Sequence, residues 1–327
     1  MKIMYRLFTP DDIDSLCELW NDNAEWGPIE PELWKKVFYH TPFGPSTIVL
    51  AIDKGTQEVV AQFVFIPTRI SVNGTEVKGF KPCAPIIKKS LREEAGLASV
   101  FLHMMKMYRF ATKYFVSQGI YLLHMMPDPR WARSFEAMPG MKIAKFPLWC
   151  FSLEKKIDLQ LPDGYTIEDV SPQDPQIDEL WNKTKGMYDC IMIRNSEVLP
   201  YKLSHRNYES IGIKYKSRLV GFAALLYKDI IKGVIICDVL AEDETTLKLM
   251  LEAARFRASK LKYSLPESDQ FHCEKVSVLA IPLIEKIVTE MGFTKNNYKS
   301  ALAVHVLGKE LSKKELKPER WYVSAND

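Results

Sequence analysis

The chain has 327 residues, of which 47% are apolar and 26% charged, a balance typical of globular proteins and not of disordered ones. A net charge of only +3 argues against DNA and tRNA as partners. The sequence has no apolar run of about 18 residues and no signal-type start, which predicts a cytoplasmic protein without a membrane partner. Six scattered cysteines without a CxxC pair predict neither disulfides nor a zinc site, and no metal is expected.

The first predicted elements lie in "YRLFTPDDIDSLCELWN", where a short strand precedes a helix. Thr9 is a suitable N-cap, and Pro10 fits the first helical position. Apolar residues then recur at helical spacing and predict one buried face. These residues are Ile13, Leu16, Cys17 and Trp20.

A second stretch, "YTIEDVSPQDPQIDELWN", repeats this design downstream. Tyr165 opens the predicted strand, and Ser171 and Pro172 are the predicted cap and first helical residue. The Leu-Trp-Asn triplets at 19–21 and 180–182 lie 161 residues apart. The residues predicted to face inward are Ile177, Leu180 and Trp181.

Two further correspondences follow in the same order. The segments "IVLAIDKGTQEVVAQFVF" and "IGIKYKSRLVGFAAL" each predict a β-hairpin, and Val60 and Val220 within them are 160 residues apart. Gly140 and Gly292, 152 residues apart, each separate a helix end from a closing strand. Three matches in one order at a nearly constant offset predict a tandem repeat of one fold.

The repeat predicts two domains, at residues 1–155 and 164–327. Between them, residues 156–163 form the predicted linker, because the charged stretch "EKKIDLQLPDG" ends in a proline, an aspartate and a glycine.

Each half runs strand, helix, helix, hairpin, strand, helix, strand, helix, strand, an order that resembles the GNAT superfamily of acyl-CoA-dependent N-acyltransferases. The resemblance rests on the "Y-x-[LI]…D" opening of each half, on the hairpin segments VVAQF and LVGFA, and on a long helix ending at Gly119. The "[FV]-x-x-M-x-G-[MF]"-like helix ends and the final "ERWYVSAND" are also similar to it. The resemblance covers nearly the whole chain. It implies an α/β (α+β) fold of two tandem GNAT-like domains, each a mixed, mostly antiparallel sheet flanked by helices.

In that superfamily the turn between the fourth strand and the third helix reads [QR]-x-x-G-x-[GA], and its backbone N–H groups bind the pyrophosphate of CoA. The matching stretch is "LREEAGLASV", where Gly96 and Ala98 take the G-x-A positions. Glu93 and Glu94 would repel an anion unless they face solvent, and an ordinary helix N-terminus is the alternative. The residues that the resemblance implies for acyl-CoA binding are Arg92, Ala95, Gly96, Leu97 and Ala98.

The matching place in the second half reads "CDVLAEDETTLKLM" and contains no glycine. Glu242, Asp243 and Glu244 stand where phosphates would lie, and carboxylates there repel an anion. The first half is therefore the predicted acyl-CoA site.

The resemblance implies that an amine attacks the thioester directly while a backbone N–H polarises its carbonyl. Phe135 and Val288 take the place where many members carry a tyrosine that protonates the leaving thiolate, and the resemblance implies Phe135 as a cofactor-binding residue. His124 is the candidate proton relay, with a hydrogen-bonded core histidine as the alternative. Asp128 is expected to touch pantetheine or to be a turn residue, and Glu25 to be a general base or a solvated loop residue.

The sequence thus predicts an N-acyltransferase that moves an acetyl or other acyl group from CoA to an amine of a small molecule or peptide. A Fem-type aminoacyl transferase, which uses charged tRNA, is opposed by the near-neutral charge. The alternative of another class is a catalytically inactive tandem-GNAT protein that binds a small ligand or a partner. The missing tyrosines and the glutamates of the turn favour that alternative.

Overall fold

The structure of the chain is a computed structural model. It describes residues 2–24, 26–128, 132, 135–136, 138–204, 206–264, 273–308 and 316–327, and of residues 94–99 and 230 the backbone alone.

The first half of the chain contains eight strands and three helices within the described residues. They are β1 (Ile3–Leu7), α1 (Ile13–Asn23), α2 (Pro31–Trp34), β2 (His40–Thr41), β3 (Gly44–Pro45), β4 (Thr47–Asp53), β5 (Val59–Val72), β6 (Thr75–Ile87), α3 (Lys89–Ser117), β7 (Leu122–Met125) and β8 (Met141–Ser152). A 3-10 turn, Pro10–Asp12, leads into α1, and a π-helical turn, Lys35–Tyr39, follows α2.

The second half follows a similar order. Its described elements are β9 (Tyr165–Asp169), α4 (Gln176–Thr184), β10 (Cys190–Met192), α5 (Val198–Leu203), β11 (Glu209–Tyr215), β12 (Arg218–Lys228), β13 (Gly233–Ala241), α6 (Glu244–Ser264), β14 (Lys275–Leu279), α7 (Pro282–Glu290), β15 (Thr294–Val306) and β16 (Trp321–Tyr322). Short 3-10 turns cover Asp229–Ile231 and Pro318–Arg320. Within the described part of the chain, no helix combines the length and the apolar character that crossing a bilayer requires.

The predicted start of the first repeat is confirmed. Leu16, Cys17 and Trp20 are buried on one face of α1, as the spacing indicated. Asp12 holds the turn before α1, because its carboxylate accepts the backbone N–H of Thr9 at 2.8 Å and two bonds from Arg6 at 2.6 and 2.7 Å. The guanidinium of Arg6 lowers the pKa of Asp12, although burial opposes the shift.

The predicted start of the second repeat helix is wrong. The helix α4 begins at Gln176 rather than at Pro172, because residues 171–174 form a turn in which the N–H of Asp174 donates to Ser171 O at 3.0 Å. The side chain of Asp174 then accepts the N–H of Gln176 at 2.9 Å. The buried face, Ile177, Leu180 and Trp181, is as predicted.

The chain divides into two compact units, each built from separate segments. Unit 1 consists of Met1–Arg69, Val77–Met125 and Val304–Glu315. Unit 2 consists of Ile70–Glu76, Met126–Ala303 and Leu316–Asp327. The division passes through β5, β6 and β15. The domain bounds at residues 1–155 and 164–327, which follow the sequence repeat, stay a prediction.

Unit 1 is a sheet in the order β1-β4-β5-β6-β7, beside which β15 ends. Both predicted strands of the first hairpin, β4 and β5, pair antiparallel. Val64 and its neighbours on one face pack against α1 and α2. Phe65 on the other face contacts Phe115 of α3, with ring centroids 5.4 Å apart. Leu307, just after β15, donates its N–H to Tyr121 O at 2.8 Å.

Unit 2 is a sheet in the order β15-β8-β14-β13-β12-β11-β9. The predicted hairpin of β11 and β12 is present and antiparallel, while β13 and β14 run parallel. The strand β10 pairs with Ile70–Val72 of β5 on one side and with β16 on the other. The prediction of mixed, mostly antiparallel sheets flanked by helices is confirmed.

Candidate functional site

The candidate site begins where β6 and β7 diverge in unit 1. Among the described residues, the parallel ladder between them is limited to the pair Phe80 and Leu123, although β6 continues to Ile87. Pro82 and Pro85 lie in that continuation, and proline has no N–H to give to a neighbouring strand. The sequence of β6 therefore opens the sheet toward the start of α3.

One residue in the open part of β6 departs from strand conformation. Ala84 has a φ of +46°, in the left-handed region that non-glycine residues rarely occupy. Its carbonyl oxygen accepts a hydrogen bond from Nε2 of Gln62 at 3.3 Å. Gln62 stands opposite Leu50 of β4 and is 0% exposed.

The junction between β6 and α3 is basic. The N–H of Lys88 donates to Val60 O at 2.9 Å, and the N–H of Lys89 to Oδ1 of Asn23 at 2.6 Å. Arg92 reaches back to the carbonyl of Asn23 at 3.3 Å. The side chain of Lys88 pairs with Glu58. Three cationic side chains thus lie at the start of a helix, one just before it and two in its first turn. The N–H groups of a helix start carry partial positive charge.

The predicted glycine turn is wrong. The helix α3 begins at Lys89, so Gly96 is within the helix and the intrahelical ladder uses the backbone N–H groups that a turn would leave free. Most residues around Gly96 favour helix strongly, and a single glycine costs only about 1 kcal/mol. Glu93 is exposed and lies 3.8 Å from the Lys89 ammonium. The role in CoA binding of Arg92, Ala95, Gly96, Leu97 and Ala98, all in α3, stays a prediction.

His124 lies on β7, one residue past the paired Leu123. It is 1% exposed, and its Nε2 is 3.1 Å from Oγ1 of Thr68. The interpretation as a hydrogen-bonded core residue fits these contacts, and its role as a proton relay stays a prediction.

The other predicted site residues are divided between the units. Asp128 and Phe135 belong to unit 2, whereas Arg92 and His124 belong to unit 1. Asp128 is exposed, and its backbone carbonyl accepts the N–H of Ala132 at 3.2 Å. Phe135 is buried. Glu25 lies outside the described residues.

The sequence alone did not identify Gln62 or Ala84 as candidate site residues. The available signals were a glutamine inside the apolar run "VVAQFVF" and two closely spaced prolines in "KPCAP". A polar residue in a buried strand has to find a partner, and that partner lies 22 positions away in the chain.

Unit 2 has the same backbone arrangement with a different junction. The ladder between β13 and β14 runs to Ile236 and Val278, and β13 continues to Ala241. The N–H of Glu242 then donates to Val220 O at 3.1 Å.

Acidic side chains occupy this second junction. The carboxylate of Glu242 accepts two bonds from Arg218 at 2.5 and 2.8 Å and one from Lys183 at 3.3 Å. Oδ1 of Asp243 accepts the N–H of Thr246 at 2.7 Å and so caps α6. The protein's own carboxylates therefore fill the helix start.

A buried ionic cluster lies beside β13. Arg194 donates to Asp238 at 2.7 Å and to Asp327 at 2.5 Å, and Lys202 donates to the same two carboxylates at 3.0 and 2.6 Å. Burial raises the pKa of Asp327, but the charges of Arg194 and Lys202 outweigh this effect and hold it well below its usual range. The hydroxyl of Tyr322 accepts the N–H of Val239 at 3.2 Å and donates to its carbonyl.

No protein-family model matches the chain, and no curated protein sequence does. Solved structures match it over 94% of its length. A probable N-acyltransferase from Enterococcus faecalis V583 has a TM-score of 0.68 at 11% identity, with 73% of its own chain covered. A GCN5-related N-acetyltransferase from Anabaena variabilis has a TM-score of 0.67 at 14% identity, also with 73% covered. The N-myristoyltransferase of Saccharomyces cerevisiae, solved with bound myristoyl-CoA, has a TM-score of 0.56 at 14% identity, with 79% covered.

These similarities establish the fold. The chain has the GNAT fold of acyl-CoA N-acyltransferases, and the resemblance stated from its sequence is confirmed at that level.

Proposed function

We propose that the protein is an acyl-CoA-dependent N-acyltransferase whose cofactor site lies in unit 1. The observation that carries the proposal is the divergence of β6 from β7, which opens onto the basic first turn of α3. Acetyl-CoA or another acyl-CoA is the co-substrate, and an amine of a small molecule or peptide is the acceptor.

The pyrophosphate of CoA binds at the first turn of α3 in this proposal. Lys88, Lys89 and Arg92 supply positive charge there, and the helix dipole adds to it. The predicted contacts at Ala95, Gly96, Leu97 and Ala98 would then lie in the second and third turns of α3.

The thioester lies along the open part of β6. Its carbonyl accepts a bond from a backbone N–H near Ala84, and the bound amine attacks the carbonyl carbon directly. The thiolate of CoA leaves as the amide bond forms, and the amine gives up its proton. His124 and Glu25 are the candidates for accepting that proton, and Asp128 and Phe135 remain cofactor contacts on the resemblance alone.

The cytoplasm is the proposed location. The six cysteines are free, and burial raises the pKa of Cys17 to about 11 and that of Cys83 to about 12, so these two thiols are protonated and inert at neutral pH. Free thiols suit a reducing compartment.

A ligand-binding protein without catalysis is the second candidate. It is favoured by Phe135, which has no proton to give a leaving thiolate, and by the helical backbone at Gly96, which leaves no phosphate turn there. This second candidate binds a small ligand or a partner without acyl transfer, so a candidate that does bind acetyl-CoA is distinguished from the enzyme by turnover.

The test is isothermal titration of acetyl-CoA and CoA into the wild type and into a Lys89→Glu/Arg92→Glu variant. We expect micromolar binding that the variant weakens at least about 100-fold, because charge reversal replaces attraction by repulsion at a phosphate site. Lys113→Glu is the matched control, since Lys113 is exposed on the same helix about 36 Å from Lys89. It should bind like the wild type. Absence of binding to the wild type at millimolar CoA refutes the proposal.

A further inference from the structure

Ala84 is held in a conformation that its own side chain disfavours. A left-handed residue other than glycine costs about 1–2 kcal/mol and persists where its surroundings impose it. The φ of Ala84 is +46°, and Ala84 lies on the strand that diverges from β7. Something therefore has to stabilise this conformation.

Gln62 supplies that stabilisation. Its Nε2 donates to the Ala84 carbonyl at 3.3 Å, and only this end of the amide is a donor, so the hydrogen bond fixes the orientation of the side chain. The opposite end, Oε1, is buried and has no partner among the described residues. An unpartnered buried acceptor costs about 1–3 kcal/mol. A glutamine at a fully buried strand position thus reduces stability and is not explained by packing.

The chain around Ala84 leaves few backbone donors. Between Pro82 and Pro85, only Cys83 and Ala84 have an N–H group. The N–H of Ala84 belongs to the left-handed residue itself, so its direction depends on the conformation that Gln62 holds.

We propose that Gln62 is a positioning residue for acyl transfer, which holds Ala84 in its left-handed conformation and thereby directs the Ala84 N–H to the thioester carbonyl. The inference rests on the proposed function and adds to it the residue that sets the geometry of carbonyl polarisation. Gln62 acts through Ala84 and does not touch the acyl group.

The test compares acetyl-CoA with free CoA, because only the former has the carbonyl. Isothermal titration of both into the wild type should give about tenfold tighter binding of acetyl-CoA, the worth of one hydrogen bond. Gln62→Met keeps the volume and removes the donor. It should bind both ligands equally, with its affinity for CoA unchanged. Gln118→Met, the same change at an exposed position after α3, should keep the tenfold preference.

Rescue by glycine separates positioning from a loss of structure. Adding Ala84→Gly to Gln62→Met should restore the preference for acetyl-CoA, because glycine adopts a positive φ without strain. If Gln62→Met does not fold, Gln62→Asn, one methylene shorter, should show the same loss. A preference that persists in the folded Gln62 variant overturns the inference while leaving the proposed function intact. A wild type that binds neither ligand refutes the proposed function itself.

Discussion

At the end of β6 the N–H of Lys88 donates to Val60 O, and at the end of β13 the N–H of Glu242 donates to Val220 O. Both side chains form ion pairs, but the junction residue is the cation in unit 1 and the anion in unit 2. Lys88 pairs with Glu58 in unit 1, and Glu242 pairs with Arg218, which lies 160 residues after Glu58. The same backbone junction thus exists twice, with the charges exchanged. Whether such a junction can accept an anion is therefore set by a few side chains and not by the fold.

The strands before the junctions differ in the same way. Ala84 lies four residues before Lys88, and its carbonyl is bound by the neutral amide of Gln62. Asp238 lies four residues before Glu242, and its carboxylate is bound by Arg194 and Lys202. In unit 2, Tyr322 also occupies the backbone N–H and carbonyl of Val239, beside that cluster. Unit 2 uses this region for its own stability, which supports the proposal of a ligand site in unit 1.

The largest expected effect is on the stability of unit 2. Arg194→Leu removes one of the two cations that neutralise the buried carboxylates of Asp238 and Asp327. It should therefore lower the free energy of unfolding by about 3–5 kcal/mol. Urea denaturation measures it. The matched control is Arg218→Leu, which breaks the partly exposed junction pair and should cost less than about 1 kcal/mol. Equal losses in the two variants would mean that the buried cluster is not the main support of this region.

Exchanging the ion pair of unit 1 should affect ligand binding instead. Glu58→Arg with Lys88→Glu keeps an ion pair in the arrangement of unit 2, so the fold should persist while the affinity for CoA falls about 30-fold, as an acidic group replaces a basic one at the helix start. Calorimetric titration measures the affinity. The reverse exchange, Arg218→Glu with Glu242→Lys, should leave it unchanged. A CoA affinity that survives the first exchange would place the phosphates elsewhere.

The smallest expected effect is the pH dependence of the acidic junction. The hydrogen bond from Arg218 lowers the pKa of Glu242, against the opposing effect of burial. A carboxyl group whose pKa is lower in the folded state stabilises the protein at pH values above its unfolded-state pKa, about 4.3. This contribution is lost as the pH falls through the folded-state pKa. Glu242→Gln should therefore be less stable than the wild type by under about 1 kcal/mol at pH 7, with no difference near pH 2. Thermal unfolding at both pH values measures it, and a difference that grows in acid would contradict the assignment.

Local periodicity was enough to predict the opening helix and the hairpin of each repeat, while the resemblance supplied the fold class. The buried faces of α1 and α4 follow from the spacing of a few apolar residues, and the hairpins follow from strand patterns around polar turns. The predicted turn at Gly96 failed because the motif was aligned on one glycine, while the helix formers from Lys89 onward extend α3 through it.

The site was harder to predict because its contacts are distant in sequence. The bond between Gln62 and Ala84 spans 22 positions, and the one between Arg194 and Asp327 spans 133. No repeat or periodic pattern encodes such pairs. The basic residues Lys88, Lys89 and Arg92 were visible in the sequence, but their place relative to the helix start required the backbone.

Segments distant in sequence also complete each unit. In unit 1, His305 stacks on Tyr108 with its Nδ1 2.9 Å from the tyrosine hydroxyl, and unit 2 requires Tyr322 in the same manner. A ribosome releases a chain in order, so neither unit can form these contacts until residues 304–327 have emerged. The nascent chain must therefore hold an unfinished sheet with open strand edges, the kind of surface that chaperones bind. Both units therefore depend on one segment, residues 304–327, that is synthesised after their other parts.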